Sequence, residues 1–84
     1  MQLIVLTPEK EIYHGQVKSV KVPGTSGQFE ILKNHAPIVS SLGEGEVRVI
    51  DSKGTKLSFT ITKGFVEVMK NEVALLVQGA SEIS

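Results

Sequence analysis

Lys56-Leu57-Ser58-Phe59-Thr60-Ile61-Thr62-Lys63-Gly64-Phe65-Val66-Glu67-Val68-Met69 alternates apolar and polar side chains almost without fault. Leu57, Phe59 and Ile61 face one way, and Lys56, Ser58, Thr60 and Thr62 the other. That period of two belongs to a pleated strand with one buried face, not to a helix. Lys63-Gly64 reads as a turn, after which Val66 and Val68 share a face and Glu67, with Phe65 or Met69, takes the opposite one. Outward from this stretch the pattern repeats. Val73, Leu75 and Val77 form one further strand, and Val47 and Val49 with neighbouring Ile50 another. Asp51-Ser52-Lys53-Gly54 and Lys70-Asn71 supply turns between them. Strands that recur every ten residues or so predict an all-β sandwich or barrel. No window carries a sustained helical stripe of the length an isolated helix needs.

Two runs depart from simple alternation. Leu3–Leu6 and Val73–Val77 are apolar on both faces, which places them in the middle of a packed body or against a partner. Val17, Val20 and Val22 change phase between the first two, which predicts a bulge near Lys18-Ser19. Gly79-Ala80-Ser81-Glu82-Ile83-Ser84 is small and largely polar, and is expected to fray.

The chain has 84 residues and no cysteine, with nine basic and nine acidic side chains. One domain is expected, with a thin core. Disulfides and thiolate metal sites are excluded, which fits a reducing compartment. The zero formal charge lacks the basic excess of a nucleic-acid binder. No apolar run approaches the length of a membrane span, and no secretory signal is visible, so the chain is expected to stay inside the cell.

Val22-Pro23-Gly24-Thr25-Ser26-Gly27-Gln28-Phe29-Glu30-Ile31-Leu32-Lys33-Asn34-His35-Ala36-Pro37-Ile38-Val39 carries the most distinctive residues. Gly24-Thr25-Ser26-Gly27 could suggest a phosphate cradle, but a strand-like run follows in place of the lysine and helix N-terminus that such a loop requires. A tight turn between strands explains it better. His35 has no partner at metal-ligand or acid–base spacing and reads as a loop histidine bonded to backbone or facing a partner. His14, before Gly15, reads as a turn residue. Glu9 and Glu11, and Glu44 and Glu46, are pairs beside turns, where carboxylates are solvated. Glu30 stands opposite Phe29 and Ile31, toward solvent or a basic patch. The segment therefore reads as shape held for docking, with no catalytic residue, metal or cofactor. A hydrolase built on His35 with Glu30 or Glu44 is a remote reading.

In order, Pro8-Glu9, Tyr13-His14-Gly15-Gln16-Val17, Val22-Pro23-Gly24-Thr25-Ser26-Gly27, Ile31, His35-Ala36-Pro37-Ile38-Val39, Leu42, Gly45-Glu46-Val47-Arg48-Val49, Gly64-Phe65-Val66-Glu67-Val68 and Asn71-Glu72-Val73 resemble the epsilon subunit of F-type ATP synthase. The resemblance runs from Leu3 to about Gly79. It implies a flattened β-sandwich of about ten short strands in two sheets, a single domain over residues 1–84. It further implies a non-catalytic rotor subunit of the central stalk, docked on the gamma subunit and the c-ring, which couples proton-driven rotation to ATP synthesis. Its place would be peripheral, on the cytoplasmic face of a bacterial inner membrane.

By position, the ring-facing residues implied are Gly24, Thr25, Ser26, Gly27, Gln28 and Glu30. The gamma-facing ones are Thr7, His35, Ala36, Ile38, Val39 and Ser40. Self-association of the isolated domain through the gamma-facing side is expected. Many members carry an acid where Gln28 stands and a glycine where Glu30 stands, so the negative charge is shifted by two residues on one strand face. Most bacterial members continue into a helical pair that inhibits hydrolysis; the sequence stops at Ser84 without it. The alternative is a free-standing β-sandwich module for a peptide or small ligand.

Overall fold

A computed structural model describes all residues, Met1–Ser84. The strands are β1 (Gln2–Leu6), β2 (Glu11–Gly24), β3 (Gly27–Leu32), β4 (Ile38–Leu42), β5 (Gly45–Asp51), β6 (Lys56–Ile61), β7 (Lys63–Met69) and β8 (Glu72–Gln78), with no helix. The organising element is β2, 14 residues long. Its first half pairs antiparallel with β1, from Gln2↔Gln16 to Leu6↔Glu11. The register with β5 then slips between Val17 and Ser19, at the place where the valine phase changes in the sequence. Such a bulge adds twist and bends the strand. Past it, β2 has β3 on one side and β5 on the other.

Two layers result. β1, β8, β7 and β4 form one, with β1 and β8 parallel and the other pairs antiparallel. The second half of β2 with β3, β5 and β6 forms the other. The bent β2 belongs to both, and β4 closes back onto its end through Gly24↔Leu42. The inward faces carry the alternating residues: Leu3, Val5, Val66, Val68, Val73, Leu75 and Val77 from one layer, and Val20, Val22, Ile31, Val47, Val49, Phe59 and Ile61 from the other, all buried. Valine dominates because a β-branched side chain packs well on a pleated surface.

Three expectations need correction. There are eight strands and not about ten, because β2 passes through the corner unbroken. Lys63 and Gly64 already belong to β7, opposite Gln78 and Val77; the break falls at Thr62 alone. A Cβ on Gly64 would stand 2.5 Å from the Leu76 carbonyl oxygen, so this glycine serves strand approach.

The C-terminal residues do not hang free. Ser58 and Ser84 exchange N–H···O bonds in both directions (3.0 and 3.1 Å), and Ser81 N–H donates to Thr60 O at 2.9 Å. Ala80 and Ile83 rest on the core. The tail thus covers the outer edge of β6 through backbone hydrogen bonds without being a strand of its own.

Candidate functional site

Gly24 and Gly27 face each other across the β2–β3 hairpin, leaving Thr25 and Ser26 as a two-residue tip, both exposed. Each glycine is required for its own reason. Gly27 has φ +130°, a conformation open to glycine. A Cβ on Gly24 would lie 2.7 Å from Gly27 O and 2.9 Å from the Phe29 ring. The tip is braced from the side, since Thr25 N–H donates to Ser41 O (3.1 Å) and Gly43 N–H to Pro23 O (2.8 Å). It shares one end of the sandwich with the β4–β5 turn. A strand follows Gly27, so the loop is a hairpin and no phosphate cradle.

Beyond the tip, Gln28 and Glu30 are exposed on the outer face of β3, while Phe29 and Ile31 turn inward. Glu30 stands opposite Lys21 of β2, and Lys21 opposite Arg48 of β5. Arg48 bonds Glu46 at 2.7 Å. Glu30 takes part neither in the Glu46–Arg48 ion pair nor in the 3.8 Å contact between Glu11 and His14. The six ring-facing residues of the sequence reading therefore lie together on one hairpin.

The six gamma-facing residues do not form one surface. Ile38 and Ser40 are partly buried, whereas Val39, between them, is 71% exposed on the outer face of β4. His35 and Ala36 lie in the loop before β4, away from Thr7, which follows β1. What surrounds Val39 and Thr7 is an apolar outer face that the sequence reading did not assign. Ser41, Phe65, Leu76 and Leu6 stand in register across β4, β7, β8 and β1; Val39, Glu67, Ala74 and Ile4 form the neighbouring row. Phe65 is 55% exposed and Leu76 49%. Thr7 and Pro8 with Leu6, Phe65, Leu76 and others line a groove of about 530 Å³ over the first row. Apolar residues on both faces of Leu3–Leu6 and Val73–Val77 were the signal for this face.

The titratable groups offer no reacting pair. His35 Nδ1 hydrogen-bonds Ala36 O (2.7 Å) and the His35 backbone N–H donates to Leu32 O (3.1 Å), so it is a loop residue bonded to backbone. His14 lies within β2, not in a turn, with Nε2 2.6 Å from Gln2 Nε2 and Nδ1 3.8 Å from Glu11. No three histidine, aspartate or glutamate side chains gather as a metal site. Burial, and secondarily the Asp51 charge, raise the pKa of the Tyr13 phenol. The arrangement can hold partners on a polar hairpin end and an apolar sheet face.

Residues 1–83 match the family described as ATP synthase, Delta/Epsilon chain, beta-sandwich domain. The chain is similar to the ATP synthase epsilon chain of Chlorobium limicola, with 41% identity over 80 residues, 95% of this chain and 91% of the relative. It is 44% identical over 77 residues to that of Leptospira borgpetersenii serovar Hardjo-bovis, 90% of this chain and 59% of the relative. For the epsilon chain of Protochlamydia amoebophila the figures are 37% over 81 residues, 96% and 55%. The chain thus spans little more than half the length of the latter two relatives. In fold it is similar to a chain of the Euglena gracilis mitochondrial ATP synthase (OSCP/F1/c-ring, rotational state 1), with TM-score 0.88 and 22% identity over 94% of this chain and 51% of that one. A chain of the Tetrahymena thermophila mitochondrial ATP synthase central stalk/c-ring gives TM-score 0.80 and 19% identity, over 98% and 66%.

Proposed function

The chain belongs to the ATP synthase delta/epsilon chain β-sandwich domain family, and on that premise we propose that it is a non-catalytic subunit of the central stalk of an F-type ATP synthase. It docks on the gamma subunit and the c-ring, turns with both, and passes torque between proton flow and nucleotide chemistry. It works as one unit over residues 1–84, held peripherally at the cytoplasmic face of a bacterial inner membrane through the complex. The work is mechanical: close-packed strands bonded into two layers resist shear, so two gripped surfaces move together.

The observation that carries this reading is the exposed apolar pair Phe65 and Leu76, in register with half-buried Leu6 and beside exposed Val39. A lone domain gains nothing by exposing it, and such a patch marks a protein contact. We assign it, with Thr7 and Val39, to gamma. The remaining gamma-facing candidates lie off this face: Ile38 and Ser40 pair with Val68 and Val66 on the inward side of β4, and His35 and Ala36 sit in the loop before it. Gly24, Thr25, Ser26, Gly27, Gln28 and Glu30 are assigned to the ring. The relatives named above are all ATP synthase epsilon chains, so a free-standing ligand module gains no support.

Co-purification with gamma and a detergent-solubilised c-ring tests the assignment. The chain should be recovered with both; recovery with neither refutes it. Glu30→Lys should weaken ring attachment with the fold intact. A bulky residue at Gly27 should do the same. It finds open space within 4 Å but must adopt φ +130°, at a cost of about 1–3 kcal/mol. Unaltered ring recovery for both variants removes the hairpin from the interface.

A further inference from the structure

The outer face of the second layer carries a trough whose basic and hydroxyl groups belong to neither docking surface. Outward residues of β2, β5 and β6 stand there in two rows. Lys21, Arg48 and Ser58 form one row, and Ser19, Ile50 and Lys56 the other. With Glu30 and Glu46 beside them they line a hollow of about 440 Å³. The bulge in β2 sets the phase of Ser19. Val17 and Val20 are both inside, and the register slip between Val17 and Ser19 turns Ser19 to the outer face.

Two of these residues are unlike the others of their kind. Ser19 is the one polar side chain among the buried residues, at 6% exposure. The serine hydroxyls that bond within the protein are those of Ser40 and Ser81, not that of Ser19. No buried polar atom is sealed off without a partner, so the Ser19 hydroxyl opens onto the trough. Lys21 is the one lysine of eight that is half-buried rather than exposed. It has no carboxylate within 4.0 Å, although Glu30 stands in register with it. Directly across from it on β5 is Arg48. Like charges opposite one another destabilise a sheet. Glu46 holds Arg48 through Nε alone, and Lys56 brings a third positive charge one row away.

We propose that this trough is an anion site for a phosphate group, which lies over Ile50 and is held by Lys21, Arg48 and Lys56 with the Ser19 hydroxyl donating from below. Such an anion separates the facing charges of Lys21 and Arg48 and gives the buried hydroxyl the partner it lacks. A tetrahedral oxyanion suits donors spread over two rows and three strands. A carboxylate suits them less, because its planar pairing needs the Arg48 fork, and Glu46 already occupies Nε. Glu30 flanks the trough and supplies none of the donors. The inference goes beyond the stalk assignment and does not rest on it.

The test titrates the whole chain with inorganic phosphate, with chloride adjusted to hold ionic strength constant, and follows amide chemical shifts by NMR. The expected result is saturable shifts at Ser19, Lys21, Arg48 and Lys56. Lys21→Met and Lys56→Gln should each weaken binding at least about fivefold, and Ser19→Ala about fivefold. Lys33→Met and Lys70→Met, at exposed lysines outside the trough, should leave it unchanged. Without phosphate, the urea midpoint of Ser19→Ala should be no lower than the parent's, since the variant removes an unpartnered buried hydroxyl. Lys56 is fully exposed, so its variant keeps the test decisive if Ser19→Ala folds poorly. Glycerol 3-phosphate separates two sources of the same chemistry: tighter binding than phosphate identifies a monoester as the ligand, and equal binding identifies free phosphate. Shifts that fail to saturate, or that weaken as much in Lys33→Met and Lys70→Met as in Lys21→Met, show general attraction of counterions and overturn the proposal. No residue assigned to gamma or the ring is altered, so failure here leaves the stalk assignment standing.

Discussion

Phe65 of β7 and Leu76 of β8 stand directly opposite one another with their side chains on the outside of the sandwich, each about half exposed. Strand alternation requires this: Val66 and Val68, and Leu75 and Val77, occupy the interior, so their neighbours must face out. A large apolar pair in that position stabilises the isolated domain little. Phe65→Ser and Leu76→Ser should therefore shift unfolding stability by no more than about 0.5 kcal/mol. Each should weaken binding to gamma about tenfold or more, the range of an interface anchor. Urea denaturation and calorimetric titration with gamma separate the two effects. The same variants should reduce self-association of the isolated domain in sedimentation. Unchanged gamma affinity in both would clear this face of the interface.

Gly64 and Gly15 make a matched pair for the value of a missing side chain. A Cβ at Gly64 would meet the Leu76 backbone oxygen at 2.5 Å and Val77 Cγ1 at 3.0 Å. Neither can retreat without opening the β7–β8 ladder. Gly64→Ala should cost about 2 kcal/mol or more, as overpacking against backbone does. At Gly15 the nearest atom is Tyr13 Oη at 3.3 Å, the far end of a side chain. Gly15→Ala should stay within about 1 kcal/mol of the parent and can gain from lower unfolded-state entropy. Urea midpoints of the two variants give the comparison.

Much of the core was legible because its signal is local. Leu57, Phe59 and Ile61 mark an inward face without knowledge of any partner strand, and the phase change between Val17 and Val20 marks the bulge. Three features were not legible, each because it depends on a neighbour distant in sequence. The parallel pairing of β1 with β8 joins the two ends of the chain and leaves no turn signature. The tail pairs through its backbone, so its small polar composition hides that bonding capacity; Ala80 and Ile83 are its only apolar hints. The gamma-facing group placed Ile38, Val39 and Ser40 on one surface, although consecutive strand residues must alternate, and the structure leaves only Val39 exposed. The ring-facing group held together because a two-residue hairpin keeps its residues adjacent whatever the rest of the fold does.

The tail should act as an edge cover of modest strength. Thr60 N–H donates to Ser81 Oγ at 2.9 Å, and Ser58 N–H to Ser84 O at 3.0 Å. Ser81→Ala removes one acceptor and should cost about 1 kcal/mol or less. Ile83→Ser removes the apolar contact that seats the tail and should speed amide exchange at Ser58 and Thr60 about tenfold, with the β7–β8 amides unaffected, as expected of local opening. Exchange at Ser58 equal to the parent's would mean that the hydrogen bonds alone hold the tail.

Tyr13 gives the fold a weakness at alkaline pH. Burial, reinforced by the negative charge of Asp51, raises its pKa above the ordinary 10.0. Asp51 cannot turn away readily, because Oδ1 accepts from the N–H groups of Lys53 and Thr55, both at 2.9 Å. The unfolded chain loses the phenol proton first, so the stabilisation is complete below a pH of about 10 and is lost as pH rises through the native value. Tyr13→Phe should abolish this part of the alkaline decline and leave stability below it nearly unchanged. Urea midpoints either side of the transition read the difference. Tyr13 is the only tyrosine among the 84 residues, so phenolate absorbance of the native protein reports its titration directly. In Asp51→Asn the transition should move down by the smaller part of the shift, since burial is the larger cause. A native titration at the ordinary tyrosine value would contradict the packing of Tyr13 against the core.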